Sequence, residues 1–149
     1  MAQQVIDETA TTTGDPAAVY ALLADGATWP QWSPIGSFEL LEPGAGTPEG
    51  LGAVRLFTTG RHKSRERVVT CEPGRAFAYE LEAGLPLRGY RAVITLQPAG
   101  GGTSITWRST FRAKVPGTGG IYRRELGKFI RQTVDGLAAA AASERARTA

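Results

Sequence analysis

The sequence predicts an α+β fold in which a curved antiparallel sheet wraps around a long C-terminal helix. Three observations carry that expectation. A β-branched first segment is followed by one short helix and the break Trp29-Pro30-Gln31-Trp32. About six segments of period-two texture then follow, separated by short loops rich in turn residues, and short loops between successive strands make antiparallel neighbours. The chain closes on an amphipathic stretch of helical period. A meander followed by one long helix can bury both only by curling the sheet over the helix, which leaves room for a cavity between them.

Each element has a local cause. Residues 5–13 are rich in Val, Ile and Thr and read as a strand ended by Gly14. Asp15-Pro16 opens a helix, since Asp caps well and Pro at the first helical position forfeits no hydrogen bond. Val19, Leu22 and Leu23 form its apolar face, and Gly26 ends it. Trp29 precedes a proline and is biased away from helical geometry, so residues 28–32 should form at most one turn. Strands are expected at 38–41, 53–59, 65–72, 76–82, 90–97 and 103–113, each bounded by Gly/Pro-rich turns. Tyr122, Leu126, Phe129, Ile130, Thr133 and Leu137 then recur at helical spacing, opposite Arg123, Arg124, Lys128, Arg131 and Asp135. That predicts a helix of about 20 residues, weakened by Gly127 and Gly136 at about 1 kcal/mol each, with 143–149 frayed.

At 149 residues the chain fits one domain, 1–149, with one core. It begins without a basic-then-apolar segment and contains no apolar run of bilayer length, so a soluble cytoplasmic protein without integral membrane association is expected. One Cys and one His cannot supply an internal disulfide or the usual zinc ligand set, and no phosphate-binding glycine motif occurs, so no metal or cofactor is expected. Charge is uneven: residues 1–54 hold seven acidic side chains and no basic one, and all 17 Lys and Arg lie beyond. Because the basic positions are scattered through strands, mutual neutralisation in the fold is favoured over a nucleic-acid partner.

The alternation places Phe77, Tyr79 and Leu81, Tyr90, Ala92, Ile94 and Leu96, and Ile105, Trp107, Ser109 and Phe111 on the inward face. Each aromatic could simply fill the core. Tyr79, Tyr90 and Trp107 aimed together at one helix favour a cavity instead, because each adds a hydrogen-bonding tip to an apolar wall. On the next strand Val69 and Cys71 draw Arg67 inward, whereas Val68 allows the opposite assignment with Glu66 inside; the pattern leaves both open. His62, in Gly60-Arg61-His62-Lys63, reads as a solvated turn rather than a catalytic base. Cys71 reads as a small buried residue without an activating His, and Ser33 and Ser109 lack the context of a nucleophile.

The segment around Asp15-Pro16-Ala17-Ala18-Val19-Tyr20, the Trp29–Trp32 break, Gly50-Leu51-Gly52, the run from Val68 to Tyr79 and the run from Gly101 to Trp107 together resemble the polyketide cyclase/dehydrase and lipid-transport group of the START-like, Bet v 1-like (SRPBCC) superfamily. The resemblance spans nearly the whole chain. It implies a helix-grip fold with a largely apolar cavity, and it implies no single activity. The expected ligand-binding residues are Trp32, Leu56, Arg67, Phe77, Tyr79, Arg88, Tyr90, Trp107, Tyr122, Leu126 and Phe129, with no catalytic residue assigned. Arg61, Lys63 and Arg88 fall in the turns that the resembled fold places at the entrance, which favours a ligand with an anionic or carbonyl end. The expected partner is a hydrophobic or amphiphilic small molecule held by a monomer or homodimer. The alternatives are a cyclase or aromatase that uses Tyr79, Tyr90 or Arg88 to orient carbonyls, and a module whose face of Arg123, Arg124, Lys128 and Arg131 docks an acidic partner.

Overall fold

The computed structural model describes residues 2–148. Strand β1, Gln4–Thr12, leads to helix α1, Pro16–Ala24, whose N-cap Asp15 accepts the Ala18 amide hydrogen bond at 2.8 Å. A single 3-10 turn, Gly26–Thr28, runs into α2, Trp29–Trp32. Trp29 is helical (φ −55°, ψ −39°) despite the following proline, because tertiary burial overrides the local bias. Its ring is 2% exposed, and its indole N–H donates to the Leu23 carbonyl at 3.1 Å.

Six further strands follow: β2 Ser37–Glu42, β3 Val54–Thr59, β4 His62–Glu72, β5 Ala76–Ala83, β6 Leu87–Ala99 and β7 Gly102–Ala113. They form one antiparallel sheet of order β1-β7-β6-β5-β4-β3-β2. β1 and β2 are consecutive strands at opposite edges, so α1 and α2 bridge the full width of the sheet. β4 and β6 each start three residues earlier than alternation predicts, since His62 already pairs with Thr59 and Leu87 with Ala113.

Helix α3, Gly119–Thr148, is 30 residues long, half as long again as its apolar period predicts. The backbone stays helical from 143 to 148, where fraying is expected, and Ala149 lies outside the described residues. Arg145 Nη1 donates to the carbonyls of Thr13 and Gly101, both at 2.7 Å, which fastens this end to two loops. α3 packs chiefly on β1, then on α1 and β7, and touches α2. Its approach to α2 is close enough that a Cβ at Gly136 would collide with the Trp32 carbonyl oxygen. Ile130, Val134 and Leu137 are buried against the sheet, together with the inward rows Phe77/Tyr79, Tyr90/Ala92/Ile94/Leu96 and Ile105/Trp107/Ser109/Phe111 that alternation predicts.

Candidate functional site

Because α3 leans on β1 and β7, it leaves a gap over the other half of the concave face. An internal chamber of about 50 Å³ lies there. Trp29, Phe57, Glu66, Tyr79, Tyr90 and Trp107 come from the sheet and α2, and Leu126, Phe129, Ile130 and Thr133 from α3. Beyond it is an outer mouth of about 330 Å³, bounded by His62, Pro86, Tyr122 and Glu125. Thr59, Ser64, Leu85, Leu126 and Phe129 line both spaces and form the partition between them.

The aromatic walls are mutually wedged. Trp29 stacks on Phe57 at 4.7 Å between centroids and meets Trp107 edge-on at 5.7 Å, while Tyr79 meets Trp107 edge-on at 6.4 Å. Tyr90 and Ser109 share a hydroxyl–hydroxyl bond of 2.9 Å. Burial pushes the Tyr90 phenol up to about 12, which the Ser109 bond partly offsets, and burial raises Tyr79 as well. Both phenols are therefore neutral hydrogen-bonding groups at ordinary pH.

Two charged side chains enter this interior. Arg55 is fully buried, its guanidinium 4.9–5.0 Å from the ring centroids of Trp29, Phe57 and Phe77. Its Nη1 donates to the Leu23 carbonyl at 2.9 Å and to Glu49 Oε1 at 3.2 Å, and the same carboxylate oxygen accepts the Gly26 amide at 2.7 Å. Arg55 thus ties β3 to α1 behind the aromatic wall and does not line the chamber. Glu66 does line it. Burial pushes its carboxyl up to about 8, against the smaller opposing pull of Arg55. Its Oε1 and the indole nitrogen of Trp107 are buried without a hydrogen-bond partner.

Of the residues expected to bind ligand, Tyr79, Tyr90, Trp107, Leu126 and Phe129 line the chamber, and Tyr122 lines the mouth. Five lie elsewhere. Leu56 points outward, since Arg55, Phe57 and Thr59 take the inward parity of β3, and Phe57 supplies the wall instead. Arg67 is on the outer face, where Nε donates to Glu82 at 2.7 Å and Nη1 to the Gly52 carbonyl at 2.9 Å. The bulge between Val68 and Thr70 explains why: Cys71 does pack on the core, but the extra residue inverts the parity carried back to Arg67 and puts Glu66 inside. Trp32 is buried with its indole N–H on Thr28 Oγ1 at 3.0 Å and borders a groove on the far side of α3, so Trp29 holds the place expected of it. Phe77 is inward but sits beyond the chamber, under Tyr20 and Arg55. Arg88 is exposed on β6 opposite Arg112, next to a register shift, and neither it, Arg61 nor Lys63 lines the mouth; His62, Glu125 and the Tyr122 phenol are the ionisable groups there. On the outer face of α3, Arg131 reaches Glu8 and Asp135, and Arg124 and Lys128 share Glu125.

Sequence reasoning missed Arg55 and Trp29. The available signal for Arg55 was its shared parity with Ala53 and Phe57; for Trp29 the sequence holds none that sets it apart from Trp32, since its place on Phe57 is a tertiary contact.

The family model described as polyketide cyclase / dehydrase and lipid transport matches residues 3–142. No curated protein sequence matches the chain. Among solved structures, Ara h 8.0201 is 19% identical with a TM-score of 0.76, covering 95% of this chain and 99% of that one. A START superfamily protein from Mycobacterium smegmatis is 14% identical with a TM-score of 0.74, covering 97% and 99%. The di-domain ARO/CYC StfQ from the steffimycin biosynthetic pathway is 20% identical with a TM-score of 0.76; the alignment covers 97% of this chain and 52% of StfQ. At these identities the likeness is one of fold, the Bet v 1/START helix-grip architecture.

Proposed function

The chain belongs to the polyketide cyclase / dehydrase and lipid transport family, and on that premise we propose that it binds a small molecule with a largely apolar body in the space between α3 and the sheet. The observation that supports this reading best is the pairing of a polar-tipped aromatic chamber with a larger apolar mouth through one partition of Leu85, Leu126 and Phe129. The mouth of about 330 Å³ is at the lower end of sites for small ligands, so the body rests there and only one end of the molecule reaches the chamber. Trp107 and Trp29 line the chamber and report its occupancy. Titration with alkyl amphiphiles of graded chain length should shift tryptophan emission saturably, and native mass spectrometry of freshly purified protein should reveal a co-purified small molecule. Unchanged emission across the whole series, with no retained molecule, would rule the reading out.

A second reading is favoured by Glu66. A carboxyl held near neutrality by burial, at about 8, beside two tyrosines is suited to exchange a proton with a bound carbonyl compound. This is the cyclase reading. Turnover of a poly-β-ketone that falls about 100-fold or more in Glu66→Gln would support it, whereas turnover indifferent to Glu66 would dismiss the residue from the chemistry.

A further inference from the structure

Two orphaned polar atoms set the chemistry of the chamber. Trp107 is 1% exposed and Glu66 9% exposed, and both line the chamber. The indole nitrogen of Trp107 is a donor with nothing to donate to, and Oε1 of Glu66 is a carboxyl oxygen that bonds to nothing. Buried polar groups left this way forfeit their hydration with nothing in return, so a folded protein retains them where something else completes them. Of the hydroxyls around the chamber, Tyr90 is bonded to Ser109 and Thr133 to the Phe129 carbonyl, while Thr59, Ser64 and Tyr79 add further polar tips to the lining. The unpaired guanidinium nitrogens of Arg55 lie against three aromatic rings, and Arg55 does not line the chamber.

One unmet donor and one unmet carboxyl oxygen call for a group that accepts and donates at a single atom. A hydroxyl does both. An ether or ester oxygen accepts from Trp107 and cannot donate, so it leaves Glu66 Oε1 unmet wherever that oxygen carries no proton, and among the described residues no cation lines the chamber to hold a carboxylate there. The volume agrees, since about 50 Å³ holds a hydroxyl with its first carbon but not a lipid body.

Resting on the pocket reading above, we infer that the chamber is a subsite for the hydroxyl of an apolar alcohol or phenol, which accepts from the Trp107 indole N–H and donates to Glu66 Oε1. The body lies in the mouth over Tyr122, Leu126 and Phe129. The anionic head expected from basic turn residues is displaced by this arrangement, because those residues do not reach the mouth.

The test is calorimetric titration with 1-octanol, methyl octyl ether and octanoate at one ionic strength and at pH 9, above the value of about 8 at which Glu66 gives up its proton, so that the carboxylate can only accept. The alcohol should bind at least about tenfold more tightly than either analogue. In Glu66→Leu and in Trp107→Phe, each checked for folding by circular dichroism, that advantage should fall to within about threefold. Either variant suffices if the other fails to fold. Equal affinity for alcohol and ether, the result expected if water alone fills the chamber, overturns the subsite and leaves the pocket reading standing. So does tightest binding of octanoate. Failure of all three ligands to bind removes the pocket reading and the subsite together.

Discussion

A guanidinium taken out of water is costly unless its charge is answered, and Arg55 has Nη1 on Glu49 and the Leu23 carbonyl while its unpaired Nε and Nη2 lie among three aromatic rings. Glu49 is also the acceptor for the Gly26 amide, so removing Arg55 strands a carboxylate that is 16% exposed. Arg55→Ala is therefore expected to destabilise by about 3–5 kcal/mol in a urea titration; a change within about 0.5 kcal/mol, typical of surface sites, would mean that the node contributes nothing. Glu66 acts in the opposite electrostatic sense. Its carboxyl rises from 4.5 to about 8 on folding, with Arg55 lowering it, and Tyr79 and Tyr90 are the other ionisable groups facing it. Between those two values the native state holds a proton that the unfolded chain has released. The contribution is whole below about pH 4.5 and is lost as pH rises through about 8. Thermal melts should accordingly show Glu66→Gln gaining on the wild type between pH 5 and pH 8. A constant difference across that range would show that Glu66 ionises normally in the fold.

At the scale of elements, most of the fold was legible because period two and period 3.6 are local signals. The inward rows of β5, β6 and β7 agree with alternation residue by residue. Parity failed on β3 and β4 for physical reasons. On β3, Val54 is buried as fully as its inward neighbour Arg55, so hydrophobicity does not distinguish the two faces. On β4 two register shifts, at Arg65/Glu66 and Val68/Thr70, break the continuity that alternation assumes, and they fall where the strand crosses the chamber. A bulge has no strong sequence signature here, so the face carrying Glu66 could not be read. The two helical glycines show the same division between local propensity and contact. Both weaken α3 by propensity, but Gly127 faces open space whereas Gly136 abuts the Trp32 backbone. Gly127→Ala should stabilise by up to about 1 kcal/mol. Gly136→Ala gains the same propensity and must push α2 away, so it should come out destabilising by about 1–3 kcal/mol. Equal effects of the two substitutions on the denaturation midpoint would contradict the close contact of α2 with α3.

For the molecule as a whole, the acidic first third and the basic remainder are neighbours in space. Asp7 pairs with Arg108, Glu8 with Arg131, Glu42 with Arg65 and Glu49 with Arg55, so the asymmetry along the chain is spent on joining the edge strands and the first helices to the rest. Stability is then divided unevenly. The half of the concave face under β1 and β7 is filled by α3, while the half under β3 to β6 carries the chamber and mouth. Fewer packed atoms on that side make it the side that opens, and the partition at Leu85, Leu126 and Phe129 is where an entering ligand must displace side chains. An occupant supplies the missing contacts there. Ligand that binds only the native state adds about 2.7 kcal/mol at a hundredfold excess over Kd, and the local share of that gain should be visible in amide exchange. With saturating 1-octanol, exchange should slow across Leu85–Leu87 and through Tyr122–Ile130, while the β1–β7 ladder, already closed by α3, should change little. Uniform slowing over all strands would indicate global stabilisation without local closure. Slowing confined to the groove of Asp15, Ala18 and Asp25 beside α1 would place the ligand outside the sheet–helix space altogether.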